Sequence, residues 1–166
     1  MLIFFDTEFT GLIVDAKLIS IGLADETGER TFYAELSDTW QEDNELDFFV
    51  EETVLPLLEG GVARMTMAEL RKRLRDWLEA FGQPVQLATD SLAWDWDWFQ
   101  KIFHKAGKWP ENVDSKPLVL PNSDEVFNHA IEEAFASGLR RHHALDDAEA
   151  NRRGWLAYCD SRRDRP

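Results

Sequence analysis

The pattern of apolar and polar positions predicts a chain in which strands and helices follow one another without a linker. The uninterrupted apolar run from Leu2 to Phe5 is typical of a strand buried on both faces. Residues 17–24 and 31–36 are predicted to form two more strands, joined by a hairpin turn at 26–29. These three strands are expected to be antiparallel neighbours in one sheet.

Helical spacing follows these strands. Residues 46–58 are predicted to form a helix whose end is distorted by Pro56. Residues 66–69, Thr-Met-Ala-Glu, form a capping-box pattern that opens a second helix, and Gly82 is its expected stop. The apolar face of this second helix is predicted to be core, and consists of Leu70, Leu74, Trp77, Leu78 and Phe81.

The segment after the fourth predicted strand, residues 85–89, allows two interpretations. The Trp/Asp alternation from Trp94 to Trp98 would suit a strand with carboxylates on one face. A helix is favoured, because apolar positions follow the helical period as far as Ala106 and Gly107 can stop it. Asp95 then lies in the first turn of a helix that follows a strand, a usual place for a site residue. Asp90 is interpreted as a helix cap and Asp97 as a solvated residue.

The last third of the chain predicts one edge strand and two helices. Residues 117–120 form a short strand within a proline-rich loop, and residues 127–135 carry the apolar stripe of a helix capped by Ser123 and ending at Gly138. The final helix follows two adjacent histidines, and its tail from about residue 160 is expected to fray. Its predicted apolar face includes Ala148, Trp155 and either Leu156 or Cys159.

Composition restricts the class of protein. A chain of 166 residues can form one domain with its own core. The single cysteine excludes an internal disulfide, no Cys/His cluster offers a zinc site, and a reducing compartment is expected. No signal peptide and no apolar run of membrane-spanning length is found, so we expect a cytoplasmic protein without a membrane partner. The net charge of −14 argues against tight, sequence-independent binding of long duplex nucleic acid, but not against a short end held through metal ions.

Two carboxylates mark the end of the first strand. Asp6 and Glu8 are separated by one residue, which places them on one face of the strand, where both could bind a hard divalent cation. The competing interpretation is a solvated strand end, since Asp-x-Glu occurs by chance in an acidic chain.

A second candidate group surrounds the start of the final helix. The helix dipole favours Asp147 in its opening turns, while His142, five residues earlier, lies on a loop. A structural histidine, or metal chelation by His142 and His143 themselves, are the alternatives. The basic residues Arg140 and Arg141 adjoin this segment.

Three motifs together resemble the DEDDh family of 3'→5' exonucleases. The first is the DTEFTGL sequence at 6–12 with its partner strand LISIG at 18–22. The second is AWD at 93–95, and the third is HHALDDA at 142–148, whose spacing selects His142 and Asp147 over their neighbours. Within that family, the compact chain and its opening are most similar to the small exoribonucleases of the mycobacterial type.

The resemblance implies a fold and a mechanism. The fold would be a single ribonuclease H-like α/β domain, with a mixed five-stranded sheet flanked by helices and the fourth strand parallel to the first. Asp6 would bridge two divalent cations, Mg²⁺ or Mn²⁺, with Glu8 and Asp147 on the first ion and Asp95 on the second. His142 would act as general base on the water that attacks the terminal phosphodiester, and the product would be a nucleoside 5'-monophosphate.

The resemblance also implies a substrate, which is single-stranded RNA or a short oligonucleotide 3' end. Its predicted contacts are Thr7, Phe9, Leu12 and Arg141. Where many family members have threonine, Phe9 would either stack on the terminal base or fill the core, and Leu12 would wedge against that base. The preference for RNA rests on the resemblance alone. A DNA exonuclease of proofreading type and a non-catalytic module that binds nucleic-acid ends are the alternatives. Family habit and seven tryptophans suggest a homodimer.

Overall fold

The computed structural model describes residues 1–13, 15–42, 46–104 and 108–163. Its centre is a mixed sheet of six strands in the order β4-β3-β2-β1-β5-β6. The strands are β1 (Leu2–Phe9), β2 (Leu18–Asp25), β3 (Thr31–Leu36), β4 (Arg64–Met65), β5 (Gln86–Thr89) and β6 (Leu118–Val119).

In the described part of the chain, four α-helices and several shorter helical segments surround the sheet. The α-helices are α1 (Met67–Glu79), α2 (Asp97–His104), α3 (Glu125–Ala136) and α4 (Ala144–Arg163). Two π-helical segments, Val50–Val54 and Leu92–Trp96, and two 3₁₀ turns, Leu55–Leu57 and Gly61–Ala63, complete them. None of the helices in the described part of the chain is long and apolar enough to cross a membrane.

The strand pairing follows the sequence prediction, but the number of strands does not. β1 to β3 are antiparallel neighbours, and β5 lies parallel to β1 on its other side. The predicted edge strand is β6, which pairs parallel with β5. The predicted count of five was wrong because β4 was missed. β4 has two residues and pairs with the end of β3, and so short a strand cannot display a two-residue period.

The helices lie where the sequence predicts them, but the type of helix differs in one segment. The segment predicted at 46–58 is helical from Phe48 to Leu57 but mostly π-helical and 3₁₀, and Pro56 lies in its closing 3₁₀ turn, where its missing N–H is tolerated. The capping box before α1 is present. A helix rather than a strand follows Asp95, and its predicted end at Ala106 and Gly107 lies outside the described residues.

The two last helices refine the predictions further. The cap of α3 is Asp124 rather than Ser123, because Asp124 directly precedes the helix and its carboxylate accepts the N–H groups of Val126 and Phe127. α4 buries Ala148 and half-buries Trp155 and Cys159, whereas Leu156 is exposed. The helix continues to Arg163, and residues 164–166 lie outside the described part.

The core has a layer on each face of the sheet. β2 is buried at every position, as expected for a strand covered on both sides. On one face, Ile3 and Phe5 of β1 pack with apolar residues of α1 and α2. On the other face, Phe4 packs with Phe127 of α3 and with the inner side of α4.

The start of α4 lies directly on β2. A Cβ added to Gly22 would collide with the backbone of Ala144 and Leu145, so this position requires glycine. Because Gly22 pairs with Asp6 across the sheet, the close approach brings the first turns of α4 over the carboxylates of β1.

Candidate active site

Asp6 and Glu8 extend from β1, a central strand, toward the start of α4. Their register partners on β2 are Gly22 and Ser20, and both carboxylates lie on the face of β1 that also carries Phe4. A strand held on both sides by β2 and β5 provides a rigid support for this pair. The predicted orientation of the two carboxylates on one face is therefore present.

Asp95 lies in the π-helical segment after β5 and is 3% exposed. Its Oδ1 accepts hydrogen bonds from the Thr7 N–H at 3.2 Å and the Thr7 hydroxyl at 2.7 Å. Its Oδ2 accepts one from the Thr89 hydroxyl at 2.8 Å. Thr7, which the sequence suggested as a substrate contact, is buried, bonds to Asp95 and also lines the cleft.

His142 and Asp147 come from the loop before α4 and from its opening turns. His142 has a φ of 66°, a left-handed conformation that residues other than glycine rarely adopt. The His142 and Phe49 rings meet edge to face, with their centroids 4.9 Å apart and their planes at 85°. The Asp147 N–H donates to the His143 carbonyl at 3.0 Å, which begins the hydrogen-bond ladder of α4.

The fold brings all five predicted catalytic residues to one place, in two groups. Each residue of a group offers a ligand atom within 4.8 Å of those of the others. One group is Glu8, His142 and Asp147, and the other is Asp6, Asp90 and Asp95. The geometry thus separates the imidazole from the more enclosed carboxylates.

Asp90 is the residue that sequence reasoning missed. The sequence suggests a helix cap at Asp90, but no side-chain cap bond is found at the segment that it precedes, and its carboxylate lies near Asp6 and Asp95. A signal was present in the sequence. Asp90 follows the end of β5, and the carboxyl ends of parallel strands such as β1 and β5 meet at one edge of the sheet.

The site is electrostatically unbalanced without a cation. Burial raises the pKa of Asp6 well above its ordinary value, and the neighbouring carboxylates Asp95 and Asp147 raise it further. Burial raises the pKa of Glu8 to about 8, and those of Asp95 and Asp147 to about 7. These carboxylates supply only oxygen ligands, the donor type that suits Mg²⁺ and Mn²⁺. Their chemistry therefore fits the implied ions.

The pKa of His142 moves in the opposite direction. Burial lowers it, and the charge of Arg141 lowers it further. A histidine with a lowered pKa is neutral at pH 7 and can accept a proton. His142 is thus in the form that a general base requires.

A cleft of about 560 Å³ contains the site and has a mostly apolar wall. Phe9 and Trp94 stack on each other in this wall, with ring centroids 5.3 Å apart and planes at 20°. Phe9 therefore lies at the cleft rather than in a core cluster. Leu12, 72% exposed, stands at the rim. Arg141 also lines the cleft, and its guanidinium contacts both carboxylate oxygens of Glu132 at 2.8 Å.

His143 and Asp146, which are adjacent to His142 and Asp147 in the sequence, lie outside the cleft. His143 is 2% exposed and packs its ring against Tyr33, with centroids 4.5 Å apart. Asp146 bonds to Arg140. Among the described residues that line the cleft, neither His143 nor Asp146 is found.

Comparisons with known proteins agree with this geometry. The chain matches the model of the 3'-5' exoribonuclease Rv2179c-like domain over residues 1–159, while no curated protein shows significant sequence similarity. The fold is similar to the nuclease domain of 3'hExo, a DEDDh family member, in a crystal structure with bound rAMP. The TM-score is 0.65 at 17% identity, over 96% of this chain and 92% of that one. This likeness shows a DEDDh nuclease fold. Since the family model spans nearly the whole sequence, the chain belongs to the Rv2179c-like 3'-5' exoribonuclease domain family.

Proposed function

We propose that the protein is a metal-dependent 3'→5' exoribonuclease that releases nucleoside 5'-monophosphates from single-stranded or short 3' ends. The observation that carries this proposal is the convergence of Glu8, His142 and Asp147 beside Asp6, Asp90 and Asp95 in one cleft. Family membership supports the 3'→5' direction.

Four carboxylates, those of Asp6, Glu8, Asp95 and Asp147, would hold two Mg²⁺ or Mn²⁺ ions. When bound, such a pair stabilises negative charge on the attacking and leaving oxygens of a phosphodiester. The protein itself orients the carboxylates. Thr7 and Thr89 occupy three lone pairs of Asp95, which fixes the direction of that carboxylate. Asp90 adds a fifth carboxylate to the side that Asp6 and Asp95 occupy.

His142 would take a proton from the attacking water. Its neutral imidazole lies beside Glu8 and Asp147. The buried Thr7 and Thr89 lie on the other side of the site, where they bond to Asp95. The water oxygen bonds to phosphorus as the bond from phosphorus to the 3' oxygen breaks. That 3' oxygen gains a proton, and the terminal nucleotide leaves as its 5'-monophosphate.

The wall of the cleft suits a nucleobase. The Phe9 and Trp94 rings present an apolar surface beside the carboxylates, and Leu12 projects at the rim. Stacking on aromatic rings tolerates any base, which suits an enzyme that shortens ends without reading sequence. The charge of −14 disfavours long duplexes and leaves single-stranded or short ends as the better substrates.

The decisive experiment compares matched RNA and DNA oligomers labelled at the 5' end, in Mg²⁺, in Mn²⁺ and in chelator. We expect the RNA to shorten from its 3' end only with metal and to release 5'-monophosphates. Faster shortening of the DNA would favour the proofreading-type alternative. If neither substrate is shortened with either metal, the enzymatic proposal fails and a non-catalytic binding module is the better description.

A homodimer and a cytoplasmic location stay predictions. The argument for a dimer from tryptophans is weakened, because all seven are buried or half-buried in the monomer. Sedimentation at micromolar protein concentration tests the dimer directly, and a monomer there would contradict it.

A further inference from the structure

A second polar cluster lies beside the candidate active site, and we call it the clamp: Glu35, Glu59, Arg140, His143 and Asp146. Arg140 is at its centre. The Arg140 Nε donates to Asp146 Oδ2 at 2.7 Å, and the Arg140 backbone N–H donates to the same oxygen at 2.8 Å. The Arg140 Nη2 donates to Glu59 Oε1 at 3.0 Å. Arg140 therefore ties α4 to the segment around residue 59.

The clamp is anchored on the sheet. Glu35 of β3 is 3% exposed, and its carboxylate accepts the backbone N–H groups of Glu59 and Gly60 as well as the Tyr33 hydroxyl. His143 is held beneath Arg140, with its ring on Tyr33 and its backbone N–H donating to the Arg140 carbonyl at 3.3 Å. One side of the loop before α4 is thus fastened to β3.

His142 stands between two members of the clamp. It adopts φ 66°, and His143, the next residue, and Arg140, two residues before it, make the contacts just described. A left-handed non-glycine residue persists only where its surroundings hold it. The clamp supplies these restraints, and none of its members is among the described residues that line the cleft.

We infer that Arg140, through Asp146 and Glu59, is a positioning residue that keeps His142 directed into the cleft. The inference rests on the proposed role of His142 as general base. Arg140 is not itself a substrate contact, because its Nε and Nη2 groups are already engaged with carboxylates. A small displacement of a catalytic group is enough to slow a reaction substantially.

The test uses three variants. Arg140→Ala is expected to lower kcat by about 10- to 100-fold and to change KM by less than about threefold, since positioning affects the chemical step. Arg140→Lys keeps the positive charge but not the planar guanidinium that reaches both Asp146 and Glu59, and should recover part of the loss. The matched control is Arg162→Ala, which breaks the Arg162–Asp124 ion pair near the other end of α4 and should leave kcat unchanged.

A double variant separates positioning from general stability. In a His142→Ala background, Arg140→Ala should cost little more, because a residue that acts through His142 has nothing left to position. Full additivity of the two losses would overturn the inference, as would a raised KM with unchanged kcat in Arg140→Ala.

Hydrogen–deuterium exchange supplies a measurement that does not need activity. Backbone exchange in residues 139–147 should rise in Arg140→Ala and stay at the wild-type level in Arg162→Ala. Unchanged exchange in Arg140→Ala would overturn the inference whatever the activity. An inert wild type would overturn the proposed function instead, and the exchange would still decide whether the clamp holds the loop.

Discussion

Asp146 and Asp147 are adjacent and chemically identical, yet the fold gives them opposite properties. Burial alone would raise the pKa of Asp146, but hydrogen bonds from Arg140 outweigh it and the pKa is lowered. Burial raises the pKa of Asp147 to about 7, and this effect outweighs the hydrogen bond from the His142 backbone and the charge of Arg141, which both lower it. Successive side chains on a helix point about 100° apart, so α4 sends one carboxylate to the clamp and the other to the cleft.

The comparison distinguishes a structural carboxylate from a candidate ligand. A carboxylate with its own arginine needs no further cation. A carboxylate buried among other carboxylates is stable only when protonated or when a cation joins it. His142 and His143 are separated in the same way, since one lines the cleft and the other is buried against Tyr33.

The largest expected effect tests the two aspartates. Asp147→Asn should lower kcat by about 1,000-fold or more, because it removes a charged ligand from the transition-state environment. Asp146→Asn keeps an acceptor for Arg140 and should lower kcat by about 10-fold at most. Turnover of a labelled oligoribonucleotide measures both. Equal losses in the two variants would break the distinction.

The two histidines give the next effect. His142→Ala should lower kcat by about 100-fold or more, as expected for a lost general base, with little change in the thermal midpoint. His143→Ala removes a buried ring, so it should lower the thermal midpoint clearly and affect kcat less. Thermal unfolding together with kinetics separates the outcomes. Loss of activity in His143→Ala with His142→Ala unaffected would show that the roles are exchanged.

Asp90 extends the comparison to a carboxylate outside the expected set. It has no arginine partner among the described ion pairs, and burial raises its pKa. If it supports the metal side formed by Asp6 and Asp95, Asp90→Asn should weaken Mn²⁺ binding by about 10-fold. Calorimetric titration of Mn²⁺ measures this, with Asp97→Asn as the control on a half-exposed carboxylate nearby in sequence. Unchanged Mn²⁺ affinity would assign Asp90 no role in holding metal.

The smallest effect is the dependence of stability on pH. The folded protein without metal keeps protons that the unfolded chain would release, because the pKa values of Asp95 and Asp147 are about 7 and that of Glu8 is about 8. This contribution is fully present at low pH and is lost as the pH rises through 7 to 8. The contribution of Asp146 has the opposite sign and is lost only as the pH falls through its lowered pKa.

We therefore expect the urea midpoint in chelator to fall between about pH 5 and pH 8. Mg²⁺ or Mn²⁺ should reverse most of the fall by binding the ionised carboxylates. Asp147→Asn should flatten the profile in chelator and Asp146→Asn should not. A profile that is already flat in the wild type without metal would contradict the raised pKa values.

Much of the site could be predicted because its signals are local. The one-residue spacing of Asp6 and Glu8 places both on one face of a strand, and this is a property of any extended chain. The resemblance to the third DEDDh motif, through its spacing, selected His142 and Asp147 over their neighbours. The bond from Thr7 to Asp95 and the position of Asp90 beside Asp6 could not be predicted, because each joins residues that lie far apart in the sequence.

The sequence by itself determined the order of strands and helices, the buried central strand and the candidate carboxylates, because periodicity and spacing act over a few residues. The motif had already selected His142 and Asp147, but only the tertiary structure decided where their neighbours His143 and Asp146 lie and what they contact. That arrangement depends on Gly22, which lets α4 approach β2, and on Arg140, which binds Asp146 from outside the cleft. The physical reason is that burial and pairing are set by distant residues, and they give chemically identical neighbours different environments.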